Sequence, residues 1–581
     1  MSLVKRKSKE FEQSSDCSSV DENEETPKKS ILLYKVNDYP PPIIAVVLAF
    51  QQWMVALSGY FVTPFLVADI VCAGKATPKL RVNLMASTFV SGGIASFVQA
   101  TFGVRLAIVH GHSLQFLAPL LAYGNLPENA CKAGYGDDVP EEEWHQRIAM
   151  FSGSMLLASL FFFLIGLSGA VGIFARFVGP ITIVPLLTLL AIAVVPTIEE
   201  KLTSHYMAVV ELVLLVIFAM YMENIDIPFP YYSFKEKKFK VLRAPLIGQF
   251  SFMLGMLISW FICWILTASS LIDDYSPAST NNNATSGLVS DAPWFKVPYP
   301  GEYGAPKLDT AMCIGYGAAV LSQIVENVGS YKMGARVSEE GNPPRDAVNR
   351  GIMVEGFGSI VASIVSIPIG VTTFAGNIAL LQFTRVVSRV TVQLVGIFFV
   401  FLGLFTKFAA VFASIPDPLV GGILCLSMSA IAGVALSNLR MVNLNQTRNL
   451  AIMGLALIVG ITVPKHFTKT PVDSGNKTWD QVFNMLLNIE MLVGGGLAFI
   501  LDNTVPGASR ADRGLVEDEE TIELTEGFWM PEFFDRWLNR MPALRKLPFM
   551  PSKPNPGKFS THDRSLSQTT TIDEELGKSY L

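Results

Sequence analysis

The chain has 581 residues and a formal net charge of −5; half of it is hydrophobic and only 16% is charged. Soluble domains usually carry roughly 25% charged residues. Apolar runs such as 155–175, 209–222, 250–267, 392–405 and 450–463 recur here, which excludes an ordinary soluble fold, because each approaches the roughly 20 residues of a bilayer-crossing helix.

Residues 1–38 are polar, with Lys5, Arg6, Lys7 and Lys9, and read as a disordered cytoplasmic tail rather than a secretory signal. About fourteen candidate spans follow. Seven fall in 39–268: from Tyr39-Pro-Pro-Pro to about Val67, then 80–102, a short one at 113–123, and 149–170, 173–195, 205–222 and 246–268. A loop covers 269–308. Seven more fall in 309–501: 309–328, 349–367, 377–389, 391–413, 418–437, 448–464 and 484–501. Residues 502–581 form a polar C-tail.

Basic residues set the orientation. Lys235, Lys237, Lys238, Lys240 and Arg243, then Lys332, Arg336, Arg345 and Arg350, then Arg385 and Arg389, then Arg440 and Arg448, all fall inside if both termini are cytoplasmic. The opposite loops hold Asp137, Asp138, Glu141, Glu142 and Glu143, and the glycosylation sequons that begin at Asn283 and Asn476. A third sequon, at Asn445, falls inside and should be silent. Cys72 and Cys131 both lie outside, where a disulfide is allowed; two free thiols are the alternative.

The third and tenth spans are shortened in the same way. A β-prone stretch, Val104 to His112, precedes one, and the Gly-interrupted stretch Ile367 to Gly376 precedes the other. Paired broken segments at matching positions point to a transporter's midplane site. Non-helical backbone survives in a membrane only inside protein or beside a water-filled cavity. Two extended segments would satisfy each other's backbone, and the half-helices behind them would aim positive N-termini at an anionic or electron-rich substrate.

Polar residues within the apolar runs supply the candidates. Glu326 stands toward the end of span eight, with Gln323 and Asn327 near the same face; Gln51 and Gln52 interrupt span one; Asn377, Thr384 and Arg385 lie in span ten. Such groups at membrane depth are costly unless they line a cavity or the protein interior. Glu355 reads as structural, paired to Arg350 or a backbone group. His110 and His112 share one strand face, but no cysteine or carboxylate nearby completes a metal site. No HExxH pattern, G-x-S-x-G elbow or P-loop occurs, so an enzyme reading has no residues to stand on.

Asn377-Ile378-Ala379 through Thr384-Arg385 resembles the N-x-G-x-x-x-x-T-[RK] signature of the nucleobase-ascorbate transporters, with Ala379 in place of the glycine. Phe50-Gln51-Gln52, Gly103 to Leu106, Phe116 to Pro119, Gly179 to Pro185, Ala292 to Pro300, Phe412 to Pro418 and Leu436 to Leu439 are similar to the sodium-dependent vitamin C branch of that family. The resemblance implies an all-α polytopic fold of two inverted seven-segment repeats, with short strands before half-helices three and ten. It also implies a core domain moving elevator-like against a gate domain, and a homodimer through the gates. Ascorbate is the first substrate it implies, with possible sodium coupling and no other cofactor. Nucleobases and other organic anions are the alternatives, as are a non-transporting sensor or scaffold and a channel. Glu326, Asn377, Gln52, Gln323 and Thr373, with backbone amides near Leu114 and Ile378, would bind substrate; Ser330 and His110 would face a cation. The chain departs from the family pattern at Gln52, where the family has histidine, and at Ser330, where the vitamin C branch has aspartate. It also has Gly376 where nucleobase carriers have an acid or glutamine.

Overall fold

The computed structural model describes residues 32–551 apart from 127–128, 132, 135–136, 175–176, 224, 234–237, 245, 282–286 and 516–525. The sequon at Asn283, Lys235 and Lys237, and most of both tails lie outside the described residues.

Helices dominate. Helix α1 (Pro42–Val71) opens on a proline, whose missing N–H is harmless in a first turn, and ends where Cys72 turns left-handed at φ 63°. Then come α2 (Thr77–Thr101), β1 (His110–His112), α3 (Leu117–Asn125), α4 (Glu141–Ser168), α5 (Pro180–Ala193), α6 (Val195–Thr203) and α7 (Tyr206–Val216). The hairpin β2 (Ile227–Ser233) and β3 (Lys238–Ala244) leads to α8 (Ser251–Ala268). The basic stretch before span seven holds this hairpin, because Phe229, Tyr231, Tyr232, Phe239 and Val241 favour strands.

The remainder comprises α9 (Thr310–Val337), α10 (Arg345–Ile364), β4 (Val371–Thr373), α11 (Ala375–Thr384), α12 (Arg389–Leu404), α13 (Thr406–Ala413), α14 (Asp417–Asn438), α15 (Thr447–Lys469), α16 (Lys477–Asn488), α17 (Glu490–Thr504) and α18 (Glu532–Asn539). Helix α9 runs well past the expected 309–328, so Glu326 lies within the helix rather than toward its end. The stretches 391–413 and 484–501 are not straight spans: α12 and α13 meet at 82°, and α16 and α17 at 76°.

Among the described residues seven helices are long and apolar enough to cross a membrane, and up to nine if each bent pair is one span. Helices α2 and α10 fall outside that set. They bury Arg81 and Gln99, and Asn349, Arg350 and Glu355, respectively. Their surroundings are protein rather than lipid, so their composition carries no lipid signature.

Helix α2 packs along α12, α10 along α4 and α2, and α1 along α12. A second group gathers α5, α7, α8, α14, α15 and α17. Strands β1 and β4 pair antiparallel, His110 opposite Thr373 and His112 opposite Val371. This short pair satisfies backbone groups that would otherwise be orphaned. Cys72 and Cys131 are joined by a disulfide.

Candidate functional site

The β1–β4 pair launches two short helices. A 3-10 turn at Leu114–Phe116 and then α3 follow β1; α11 follows β4. Because the strands are antiparallel, the two helices start from opposite ends of the pair. Ser113 caps the first, its Oγ accepting from the Gln115 amide at 3.2 Å. Helix α11 starts after extended Phe374, so the amides of Ala375, Gly376 and Asn377 have no carbonyl within the helix to meet. The Ile378 N–H itself turns to the Phe374 carbonyl at 3.4 Å. The donors are its predecessors, because α11 begins three residues earlier. The Phe374 ring fits where Gly59 and Gly111 leave room; a Cβ on either would lie 2.5 or 2.0 Å from it.

Three polar clusters surround this pair. In the first, Asn377 on α11 donates from Nδ2 to Gln52 Oε1 at 2.7 Å and to the Gln52 carbonyl at 2.9 Å, joining α11 to α1. In the second, Ser113 donates to Gln323 Oε1, and Gln323 donates from Nε2 to Thr372 Oγ1 (2.5 Å) and Asn327 Oδ1 (2.9 Å). Thr372 donates to the same Asn327 oxygen at 2.9 Å. Beside it, Gln115 donates from Nε2 to Glu326 Oε2 at 2.6 Å.

The third cluster is sealed. Glu355 is fully buried, and its Oε1 accepts from Tyr331 (2.6 Å) and Thr373 (3.1 Å), with His110 Nε2 at 3.2 Å. Gln99 donates to Tyr331 Oη at 3.0 Å. The pairing of Glu355 with Arg350 does not occur. Arg350 turns away to Asp346 (2.7 Å) and to the carbonyls of Gly103, Phe528 and Phe549. Its own helix offers Asp346 one turn earlier, and a guanidinium can bind several carbonyls at once.

The two carboxylates thus sit in unlike surroundings. Glu355 is enclosed, whereas Glu326 is half-buried and one turn from Gly329, where a Cβ would meet nothing within 4 Å. Gly376 in the first turn of α11 is also exposed, with open space at its Cβ position. Gln115 Oε1, Asn327 Nδ2 and Glu355 Oε2 are buried with no hydrogen-bond partner among the described residues. An unmet buried polar atom costs about 1–3 kcal/mol, so these atoms can reward a polar ligand. A cavity of about 500 Å³ against α8, lined by Trp260, Phe261, Trp264 and Ser414 among others, lies elsewhere, and among the described residues its lining has no carboxylate or amide side chain.

The structure therefore brings together Gln52, Gln323, Glu326, Thr373, Asn377 and His110. Ser330 is buried on α9 beside Tyr331, and Leu114 is half-buried in the 3-10 turn. Thr384 and Arg385 do not join them. Thr384 donates to the Leu380 carbonyl, and Arg385 ends α11 in a left-handed conformation, its carbonyl accepting from Leu33. They are polar because they close the far end of the helix; Ala379 lies exposed between the two ends. Asn476 caps α16 through its side chain. Sequence reasoning left out Ser113, Gln115, Thr372, Tyr331 and Gln99. A glutamine in the short apolar run 114–123 was the available signal for Gln115.

Comparison with known proteins decides the family. The Xan_ur_permease model, described as a permease family, matches residues 44–469. The chain belongs to that family. Solute carrier family 23 member 2 of Rattus norvegicus is 33% identical over 521 residues, covering 87% of this permease and 80% of the relative. Nucleobase-ascorbate transporter 2 of Arabidopsis thaliana is 28% identical, covering 83% and 90%. A solved structure of murine solute carrier 26 family member A9 in the inward-facing state covers 80% of the permease and 73% of its own chain, at 11% identity and a TM-score of 0.43. The permease is thus a multi-pass membrane transporter of the nucleobase-ascorbate group and not an enzyme.

Proposed function

We propose that this permease is an elevator-type secondary active transporter for a small polar ring compound, ascorbate before nucleobases or other organic anions. The observation that carries the reading is the pairing of two short helices across β1–β4, with amides and one half-open carboxylate around their starts. Gln115 holds Glu326 by one oxygen. The carboxylate can accept from a ring N–H or O–H, and the first amides of α11 and the amide of Leu114 can donate to ring oxygens. Asn377 bonds the substrate together with Glu326, and Gln52, Gln323 and Thr373 complete the wall.

Packing supports two inverted repeats of seven segments in 39–268 and 309–501. The contact of α2 with α12 corresponds to that of α10 with α4, and that of α1 with α12 to that of α9 with α4. In this reading α1–α4 and α9–α13 form the core, and α5–α8 and α14–α17 the gate. Gates pair in a homodimer, both termini are cytoplasmic, and the plasma membrane is the site of action. Sodium is the proposed coupling ion. Ser330 Oγ and Glu355 Oε2, the latter on the carboxylate that meets His110, are hard oxygen donors of the kind such a cation takes.

The test is uptake of labelled ascorbate, uracil and xanthine with sodium and with choline. Glu326→Gln abolishes uptake while surface protein persists. Unchanged uptake in that variant removes Glu326 from the site. Binding without uptake favours a sensor, and currents beyond a carrier's turnover favour a channel.

A further inference from the structure

The segment after the last long helix is tied to the membrane domain at both ends. Arg350, 1% exposed at the start of α10, donates to the Phe528 carbonyl at 3.0 Å and the Phe549 carbonyl at 3.3 Å. Asn349 donates to the Pro548 carbonyl at 2.9 Å. Between these ties α18 lies across the end of α2. Phe102, the residue that ends α2, meets Phe533 and Phe534 edge-on at 6.3 and 6.0 Å between ring centres.

That contact fixes the depth of α18. Helix α2 has 25 residues, about 37 Å at 1.5 Å each, against a hydrocarbon thickness of about 30 Å. If α2 crosses the bilayer along its normal, its end lies in the headgroup zone and α18 rests there. An eight-residue helix is marginal in water by itself, so the Arg350 clasp and the Phe102 contact are what hold it.

The residues of α18 divide into faces. With 3.6 residues per turn, Arg536, Arg540, Phe533 and Trp537 form one contiguous strip. Phe533 is 61% and Trp537 42% exposed, and both arginines are exposed. Phe534 and Leu538 turn inward, Leu538 fully buried. Asp535 lies on the other side, held by Arg545 at 2.5 Å. Met541, Lys546 and Leu547 continue the exposed surface. Over 527–550 four cations, Arg536, Arg540, Arg545 and Lys546, stand against the acids Glu532 and Asp535.

Two exposed aromatics flanked by two arginines at headgroup depth are poorly matched to water. They are well matched to a bilayer interface, where rings sit at the carbonyl level and guanidiniums reach phosphates. We propose that α18 and the turn after it bind the bilayer surface, with Arg536, Arg540 and Lys546 on anionic phospholipid headgroups and Phe533 and Trp537 inserted between them. The inference rests on the transporter reading only for which leaflet this end faces. Since the clasp grips α2 and α10, which carry the proposed substrate site's strands, lipid charge would act on that helix group rather than on α5–α8.

The test uses the full chain in nanodiscs of phosphatidylcholine alone or with phosphatidylserine in both leaflets, so its outcome does not depend on orientation or transport. Hydrogen exchange of the peptides covering 527–550 is the readout. At about 1 kcal/mol per basic residue near an anionic surface, exchange slows about fivefold per cation, or about thirtyfold for the arginine pair, when phosphatidylserine is added. Raised salt reverses the slowing. R536Q/R540Q/K546Q removes the dependence on phosphatidylserine, and W537S raises exchange in both lipids, each with the unfolding midpoint of the membrane domain unchanged. Equal exchange in the two lipids, or a lipid effect that survives R536Q/R540Q/K546Q, overturns the proposal. Protection that depends on protein-to-disc ratio assigns the face to a second copy and also overturns it. Failure of uptake leaves this readout untouched.

Discussion

Four charges join the two helix groups, and removing one gives a sharp test. Arg81 on α2 donates to Asp69 on α1 at 2.7 Å and to Asp417 at the start of α14 at 2.6 Å; Lys201 on α6 donates to Asp69 at 2.8 Å. Arg81 also lies 4.5 Å above the Phe65 ring. The set is neutral, two cations against two acids, and its side chains are only 3–26% exposed. At 2.8 Å and an effective dielectric of 20, one such pair attracts by about 6 kcal/mol, most of it offset by desolvation. Removing one partner is costlier than the net worth of the pair, because the other stays buried and uncompensated. Asp69→Asn removes the acid that Lys201 and Arg81 share, and it should cost about 3–5 kcal/mol. Lys201→Met leaves Asp69 paired to Arg81, and it should cost about 1.5–3 kcal/mol, as for one charged hydrogen bond. In Asp69→Asn/Lys201→Met the stranded ammonium is gone, so the double variant should be more stable than the sum by about 1–3 kcal/mol. Unfolding free energies of purified protein in mixed micelles measure all three. Additivity within about 0.5 kcal/mol refutes the argument. Because the pairs link α1 and α2 to α6 and α14, Asp69→Asn should also shift the conformational balance, visible as a changed maximal uptake rate at unchanged surface level.

Other expectations follow from local geometry. Gly376→Ala meets open space, so stability should hold or rise by about 0.5–1 kcal/mol while Gly376→Leu weakens uptake; a drop in thermal midpoint for either would contradict the open geometry. A Cβ on Gly93 would lie 2.6 Å from the Gly396 carbonyl and 2.9 Å from Phe399 Cβ. Gly93→Val should therefore separate α2 from α12, cost about 3 kcal/mol or more, and reduce surface protein. Cys72→Ser opens a loop with a sequence separation of 59. It should lower stability by about 4 kcal/mol on the chain-entropy relation, and reductant should reproduce the loss in the native chain but not in the variant.

Much of the helical layout was legible because apolar runs are a local property. Runs such as 149–170, 246–268 and 448–464 coincide with α4, α8 and α15. Their ends were less legible: α9 continues past 328 because its last turns are buried against protein, with Tyr331 and Gly334 inside, so hydropathy falls while the helix does not. Helices α2 and α10 show the same failure throughout.

The residues around β1–β4 divide by the same logic. Gln52, Gln323, Glu326, Thr373 and Asn377 stood out in sequence because each is polar where neighbours are apolar. Their pairings did not, since Asn377 meets Gln52 across 325 residues and Glu326 meets Gln115 across 211. Arg350 was matched with Glu355 because the two are near in sequence and opposite in charge. Packing instead gave the carboxylate to Tyr331, Thr373 and His110, and the guanidinium to carbonyls of the C-terminal segment. Periodicity and composition alone determined that this chain is a membrane protein with two interrupted segments. Which amide faces which carboxylate, which acid is sealed and which is half-open, and where α18 rests were decided only by tertiary packing. A side chain's partner is fixed by the few ångströms around it, and in this fold those neighbours come from segments hundreds of residues apart.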